Sequence, residues 1–226
     1  MNLAKNHLDI GVFTNNEEEM LAFWQREVGL PFEETLPLGN GNRQQRHGMN
    51  GSVFKLNASR DAVPGAALTG YRELLIARDG ITQSRTLRDP DGNPVTLVAP
   101  GCDGIVGIGI RLAVTDRERS GDFFGRVLEL ERIAESAYRW GDTVLLLEDA
   151  QGAPSGEMRG NPGYRYITVQ VRDVNEEHRK ALERGATEGR APVTLGETAR
   201  ISFLRDPDGN WIEVSQRASL TGPLSG

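Results

Sequence analysis

Glu213 is the side chain whose surroundings most readily suggest chemistry. It follows the turn Asp206-Pro207-Asp208-Gly209-Asn210. In such a turn proline presets φ, and Gly-Asn accepts the left-handed region. Beyond it, Trp211, Glu213 and Ser215 alternate with Ile212 and Val214, the period of a strand with one polar face. A carboxylate on that face, just past a tight turn, is placed to bind a metal or accept a proton. The same phrase occurs earlier as Asp89-Pro90-Asp91-Gly92-Asn93, with Thr96 at the carboxylate position. Two histidines stand in strand-like surroundings: His7 heads an alternating stretch, and His47 lies in the polar stretch 43–50. His178 follows Val174 by four residues and precedes Ala181 and Leu182, so it reads as packed between a helix and a sheet. Cys102 stands alone in Pro-Gly-Cys-Asp-Gly; it forms no internal disulfide and reads as structurally idle.

The elements that must carry these groups repeat. Leu8, Ile10 and Val12 alternate with His7, Asp9 and Gly11, a half-buried strand. Asn15-Asn16 and the glutamates behind them predict a helix start, Met20 to Val28 supply an apolar stripe, and Gly29 ends it. Strands are predicted over 30–38 and 52–57, with a polar strand or loop between them, giving β-α-β-β-β. Residues 58–69 read as a connector, and 71–77 as a strand. Too little chain then precedes the first Asp-Pro turn for a full helix, so the second unit is abbreviated. The first unit's pattern returns at 109–148, and a fourth unit spans 164–215. Residues 218–226 read as a tail.

Composition bounds the rest. The 226 residues are 38% hydrophobic and 26% charged, as in ordinary globular proteins, and suffice for one large or two small domains. Net charge of −6 argues against nucleic acid or an anionic membrane surface as partner. No apolar stretch approaches the ~20 residues of a membrane span, and the N-terminus has no apolar signal core, so a cytoplasmic location is expected.

The paired Asp-Pro-Asp-Gly-Asn turns, the strand–helix pattern at 9–30 with its repeat at 111–130, and Gly163-Tyr164-Arg165-Tyr166-Ile167 resemble the vicinal oxygen chelate superfamily. That group includes glyoxalase I, bleomycin-resistance proteins and extradiol dioxygenases. The resemblance covers nearly the whole chain and implies an α+β fold of repeated β-α-β-β-β modules, paired into two cup-shaped sheets, the second module lacking its helix. It implies a first glyoxalase-like domain at 1–99 and a second at 105–217. Modules then pair either in sequence or crossed, first with fourth and second with third. Crossed pairing is preferred because it gathers Asp9, Thr168, Gln170 and Ser215 into one cup.

The resemblance also implies metal ligands on the first and fourth strands of each module. Those positions hold His7, Glu73, Gly109 and Tyr166, and Lys55, Thr96, Leu146 and Glu213. Only His7 and Glu213 carry the family's residue types. With His47 turned inward they would make the 2-His-1-carboxylate set of non-haem metal enzymes. The expected cofactor is therefore a divalent metal (Fe, Mn, Zn or Ni) held by His7, His47 and Glu213. Lys55 would act as base or electrostatic clamp, and Tyr166 as donor to a developing oxyanion, an effect of about 2.7–4 kcal/mol per donor. Trp211, Trp140 and Phe54 could wall an aromatic ligand. The favoured expectation is a metal-dependent lyase, isomerase or extradiol-type dioxygenase acting on a small oxygen-rich or aromatic molecule, with a homodimer allowed. The alternatives are a metal-free binding or antibiotic-sequestering protein of the bleomycin-resistance type, and a non-catalytic partner-binding module.

Overall fold

Four units follow one another in the computed structural model, which describes residues 1–224. The first comprises β1 (Asp9–Thr14), α1 (Glu17–Ala22), β2 (Phe32–Gly39), β3 (Asn42–Met49) and β4 (Ser52–Ala58). Met20, Phe23 and Trp24 pin α1 and the π-helical turn behind it to the core, and Gly29, at φ 79°, turns the chain toward β2. The third unit repeats this with β8 (Ile108–Val114), α2 (Arg117–Asp122), β9 (Glu131–Ala134), β10 (Ala137–Trp140) and β11 (Thr143–Asp149). Asp116 caps α2 by accepting the Arg119 N–H, the bond that removes an orphan donor from the first turn.

The second unit keeps only β5 (Tyr71–Ala77), β6 (Arg85–Arg88) and β7 (Pro94–Val98), with no helix between β5 and β6. The fourth has β12 (Tyr166–Gln170), α3 (Val174–Glu183), β13 (Thr187–Leu195), β14 (Ala199–Arg205) and β15 (Trp211–Arg217). The stretch expected to be a tail begins as the short helix α4 (Ala218–Thr221); its last two residues lie outside the described ones.

Hydrogen bonding crosses the units. One sheet runs β13-β14-β15-β12-β1-β4-β3-β2, joining the first unit to the fourth, and the other runs β6-β7-β5-β8-β11-β10-β9, joining the second to the third. The two Asp-Pro-Asp-Gly-Asn turns tie these two sheets together. Asp206 accepts the Asn210 N–H at 2.8 Å and its side-chain amide at 2.7 Å, and Asp89 treats Asn93 the same way. Each asparagine is thereby aimed at the other unit. Asn210 Oδ1 accepts the Gly70 N–H at the entry to β5, and Asn93 Oδ1 accepts the Gly163 N–H ahead of β12, both at 2.6 Å. Two buried tyrosines add the same reciprocal link: the Tyr71 hydroxyl donates to the Trp211 carbonyl and the Tyr164 hydroxyl to the Pro94 carbonyl.

The two curled sheets differ in what fills them. Ile105, fully buried, packs with Leu75, Ala77, Val98 and Val144 against the second-and-third sheet. Gly109 makes room, because a Cβ there would collide with the Ile105 side chain. The linker between units thus plugs one concavity. The other stays open.

Candidate functional site

The open concavity belongs to the sheet of the first and fourth units and holds a cavity of about 460 Å³. Strand alternation decides which side chains enter it. Register aligns Arg46 with Lys55, Lys55 with Gly11, Gly11 with Tyr166, and Tyr166 with Trp211 across five strands. All but Gly11 line the cavity. Gly11 is required there, since the Tyr166 ring lies where a Cβ would project. The neighbouring row aligns Asp9, Thr168 and Glu213. Phe13, Leu36, Ile201 and Phe203 supply much of the remaining wall, which is mostly apolar.

Lys55 sits at the centre. Its Nζ lies 2.6 Å from Thr168 Oγ1 and 2.9 Å from Glu213 Oε2, and Thr168 Oγ1 lies 2.6 Å from the same Glu213 oxygen. Thr168 therefore accepts from the ammonium and donates to the carboxylate. The lysine side chain is 5% exposed and the glutamate 12%, so the pair is nearly dry, and each charge depends on the other.

A second chain of bonds fixes Tyr166. Arg46 Nη1 donates to Gln44 Oε1, Gln44 Nε2 to Asn57 Oδ1, and Asn57 Nδ2 to the Val12 carbonyl and, at 3.0 Å, to Tyr166 Oη. A guanidinium only donates and a backbone carbonyl only accepts, so both amides are oriented without ambiguity. Tyr166 Oη is thus an acceptor toward the protein. Its own proton has no acceptor among the described residues and is free for a ligand. Burial, and then the nearby Glu213 carboxylate, push the Tyr166 pKa well up, so the group stays a neutral donor.

The structure does not bring His7, His47 and Glu213 together. His7 precedes β1, and its Nδ1 lies 2.5 Å from Asp142 Oδ2 of the third unit, its ring over Gly51. Because β1 begins at Asp9, the row of Thr168 and Glu213 is met by Asp9, whose carboxylate is held by Lys5 and the Val53 N–H. His47 has the opposite parity to Arg46. It faces α1 and the π-helical turn, fully buried between Phe32 and Phe54, with Nε2 3.1 Å from Gln25 Nε2. Burial there lowers its pKa, leaving it neutral. Among the described residues no group of three or more His, Cys, Asp or Glu side chains is arranged to hold a metal ion. The donor chemistry of the cup agrees: its one central carboxylate is committed to an ammonium and a hydroxyl. The residues present do not fit a divalent ion.

In the plugged sheet, Glu73 takes Arg111 at 2.8 Å and also Thr96, and Arg111 reaches Glu148. Of the three aromatic residues considered for a ligand wall, Trp211 lines the cavity, while Trp140 and Phe54 are buried in the core. His178 lies on α3 with Nε2 2.9 Å from Glu188 of β13. Cys102 is exposed and unpaired.

Residues 107–214 match the family model of the Glyoxalase/Bleomycin resistance protein/Dioxygenase superfamily. Residues 107–214, which span the third unit and nearly all of the fourth, belong to that superfamily. The fold is shared with solved structures across almost all of its length. A point mutant of glyoxalase I from Zea mays superposes with a TM-score of 0.75 at 16% identity, covering 94% of each chain. Glyoxalase I from the same plant gives 0.71 at 17% identity, covering 94% of this chain and 92% of that one. A putative dioxygenase from Bacillus subtilis gives 0.67 at 16% identity, over 96% of this chain and 86% of its own. Identities this low carry the fold alone. No curated protein matches the chain. No described helix is long and apolar enough to cross a membrane.

Proposed function

We propose that this superfamily member works without a metal ion and takes a small, largely apolar molecule into the cup of the first and fourth units. The observation that carries this reading is Lys55 Nζ, bonded to Glu213 and Thr168 at the centre of that cup. For a divalent ion to use Glu213, the ammonium would have to leave or lose its proton in a dry site. The ligand's polar end meets the unclaimed Tyr166 hydroxyl, which favours a molecule with an accepting oxygen such as a carbonyl or hydroxyl. The Lys55 ammonium adds electrostatic polarisation of the same region. Of the two functions the family offers here, binding or metal-free turnover of a small molecule therefore fits better than metal chelation.

The test uses N-phenyl-1-naphthylamine, a neutral apolar fluorophore of suitable size. Its emission rises on leaving water for an apolar site, so that rise reports occupancy of the cup, whose wall includes Leu36 and Trp211. One probe per chain is expected, with affinity reduced several-fold by Trp211→Ala and about tenfold or more by Leu36→Glu at the half-exposed mouth. Absence of uptake, or uptake indifferent to both substitutions, would contradict the reading.

A further inference from the structure

At the mouth of the cup two guanidinium groups share one carboxylate oxygen. Arg46 Nε lies 3.0 Å and Arg217 Nη2 3.4 Å from Glu34 Oε1. These residues come from β3, β15 and the edge strand β2. Three strands, β12, β1 and β4, separate β15 from β3, so the contact spans the curl of the sheet. The cations are deeply placed, with side chains 7% and 16% exposed, while Glu34 is 44% exposed. Arg46 Nε is near Glu34 without the angle of a hydrogen bond, and it is a buried donor left without a partner among the described residues. Arg46 and Arg217 both line the cavity; Glu34 does not. Counting the central pair and leaving out the exposed Arg190 of the outer wall, Arg46, Arg217 and Lys55 face Glu34 and Glu213, three cations against two carboxylates, with Asp9 already paired to Lys5. One positive charge is left over. Burial and the adjacent Arg46 both lower the Arg217 pKa, the mark of two crowded cations with too little counter-charge.

We infer that the cup selects an amphipathic monoanion, its acidic group seated on Arg46 and Arg217 in place of Glu34 and its apolar body on Phe13, Ile201, Phe203 and Trp211. Glu34 is a stand-in for the ligand's acid. Being half in water and on an edge strand, it gives up little when it swings out, whereas the two buried guanidiniums gain a fully bonded partner. A bidentate acid would also satisfy the idle Arg46 Nε. The three intervening strands make the anion a bridge across the cup, so binding would tie its two rims together.

This inference rests on the cup being a ligand site, and the experiment separates the two claims. The probes are 1-anilinonaphthalene-8-sulfonate and neutral N-phenyl-1-naphthylamine, which share one apolar body and differ by a single anionic group. Both are titrated into the unaltered chain, Glu34→Gln and Arg217→Gln, with circular dichroism and melting temperature checking that each variant is folded. The sulfonate should bind about tenfold more tightly than the amine. Glu34→Gln should tighten the sulfonate several-fold, and Arg217→Gln should weaken it about tenfold, with the amine changed little by either. Raising salt should weaken only the sulfonate. If the amine binds but the sulfonate shows no preference and no response to either substitution, the anion site is overturned and the ligand cup stands. If neither probe binds, both fall.

Discussion

At the residue scale, the centre of this protein is an ammonium where the sequence resemblance implies a metal. Lys55, Glu213 and Thr168 form a closed triangle of contacts within 3 Å. Pairs of this kind contribute little net stability as a unit, yet removing one partner strands the other charge, at a cost of about 3–5 kcal/mol. Lys55→Met should therefore destabilise the fold by that amount, and the double variant Lys55→Met with Glu213→Leu should recover most of it. Chemical denaturation of the four proteins of the cycle measures this; equal loss in single and double variants would mean Lys55 matters by packing alone. Lys55, Tyr166 and Glu213 were legible in the sequence because strand periodicity carries them to one face once the modules pair. The placements of His7 and His47 were not: His7 lies ahead of its strand, and His47 has the wrong parity within its own. β1 begins two residues after His7, and β3 points Arg46 inward and His47 toward the helix. No local signal distinguishes those options in so polar a stretch as Asn42–Met49. Arg46 and Gln44 were missed for the same reason, although Arg46 stands directly beside His47 in the chain; Asn57 shares the face of Lys55 on β4, and that spacing could have found it.

At the element scale, the repeated turns identify the fold and also build it. Asp89 and Asp206 each organise an asparagine whose side-chain oxygen caps the entry to a strand of the other sheet. The sequence made the turns visible; their reciprocal grip depends on residues 140 and 70 positions away and has no local signature. Substituting either asparagine leaves a buried glycine N–H without a partner, which costs about 1–3 kcal/mol. Asn93→Ala and Asn210→Ala should each lower stability by that amount, and the losses should add because the clips are separate. A urea midpoint for each variant tests this, and a near-silent Asn93→Ala or Asn210→Ala would show that the clip is incidental. The helix missing from the second unit was readable from chain length alone, since only residues 78–84 join β5 to β6.

At the scale of the whole molecule, crossed hydrogen bonding creates two cups and the chain spends them differently. The linker drives Ile105 into one, against Gly109, so that cup is core. The other keeps a cavity of about 460 Å³ walled by apolar side chains around the Lys55–Glu213 pair. The sequence could foretell that Gly109 and Leu146 would not ligate a metal, but not that a linker isoleucine would occupy their cup. On the proposed reading the open cup does its work with an ammonium and a phenol instead of a metal ion. Calorimetric titration of the chain with Zn²⁺, Ni²⁺ and Mn²⁺, and with Fe²⁺ under anaerobic conditions, tests it most directly. No saturable uptake at one ion per chain that depends on Glu213 is expected. Tight binding of one ion per chain, abolished by Glu213→Gln, would contradict it.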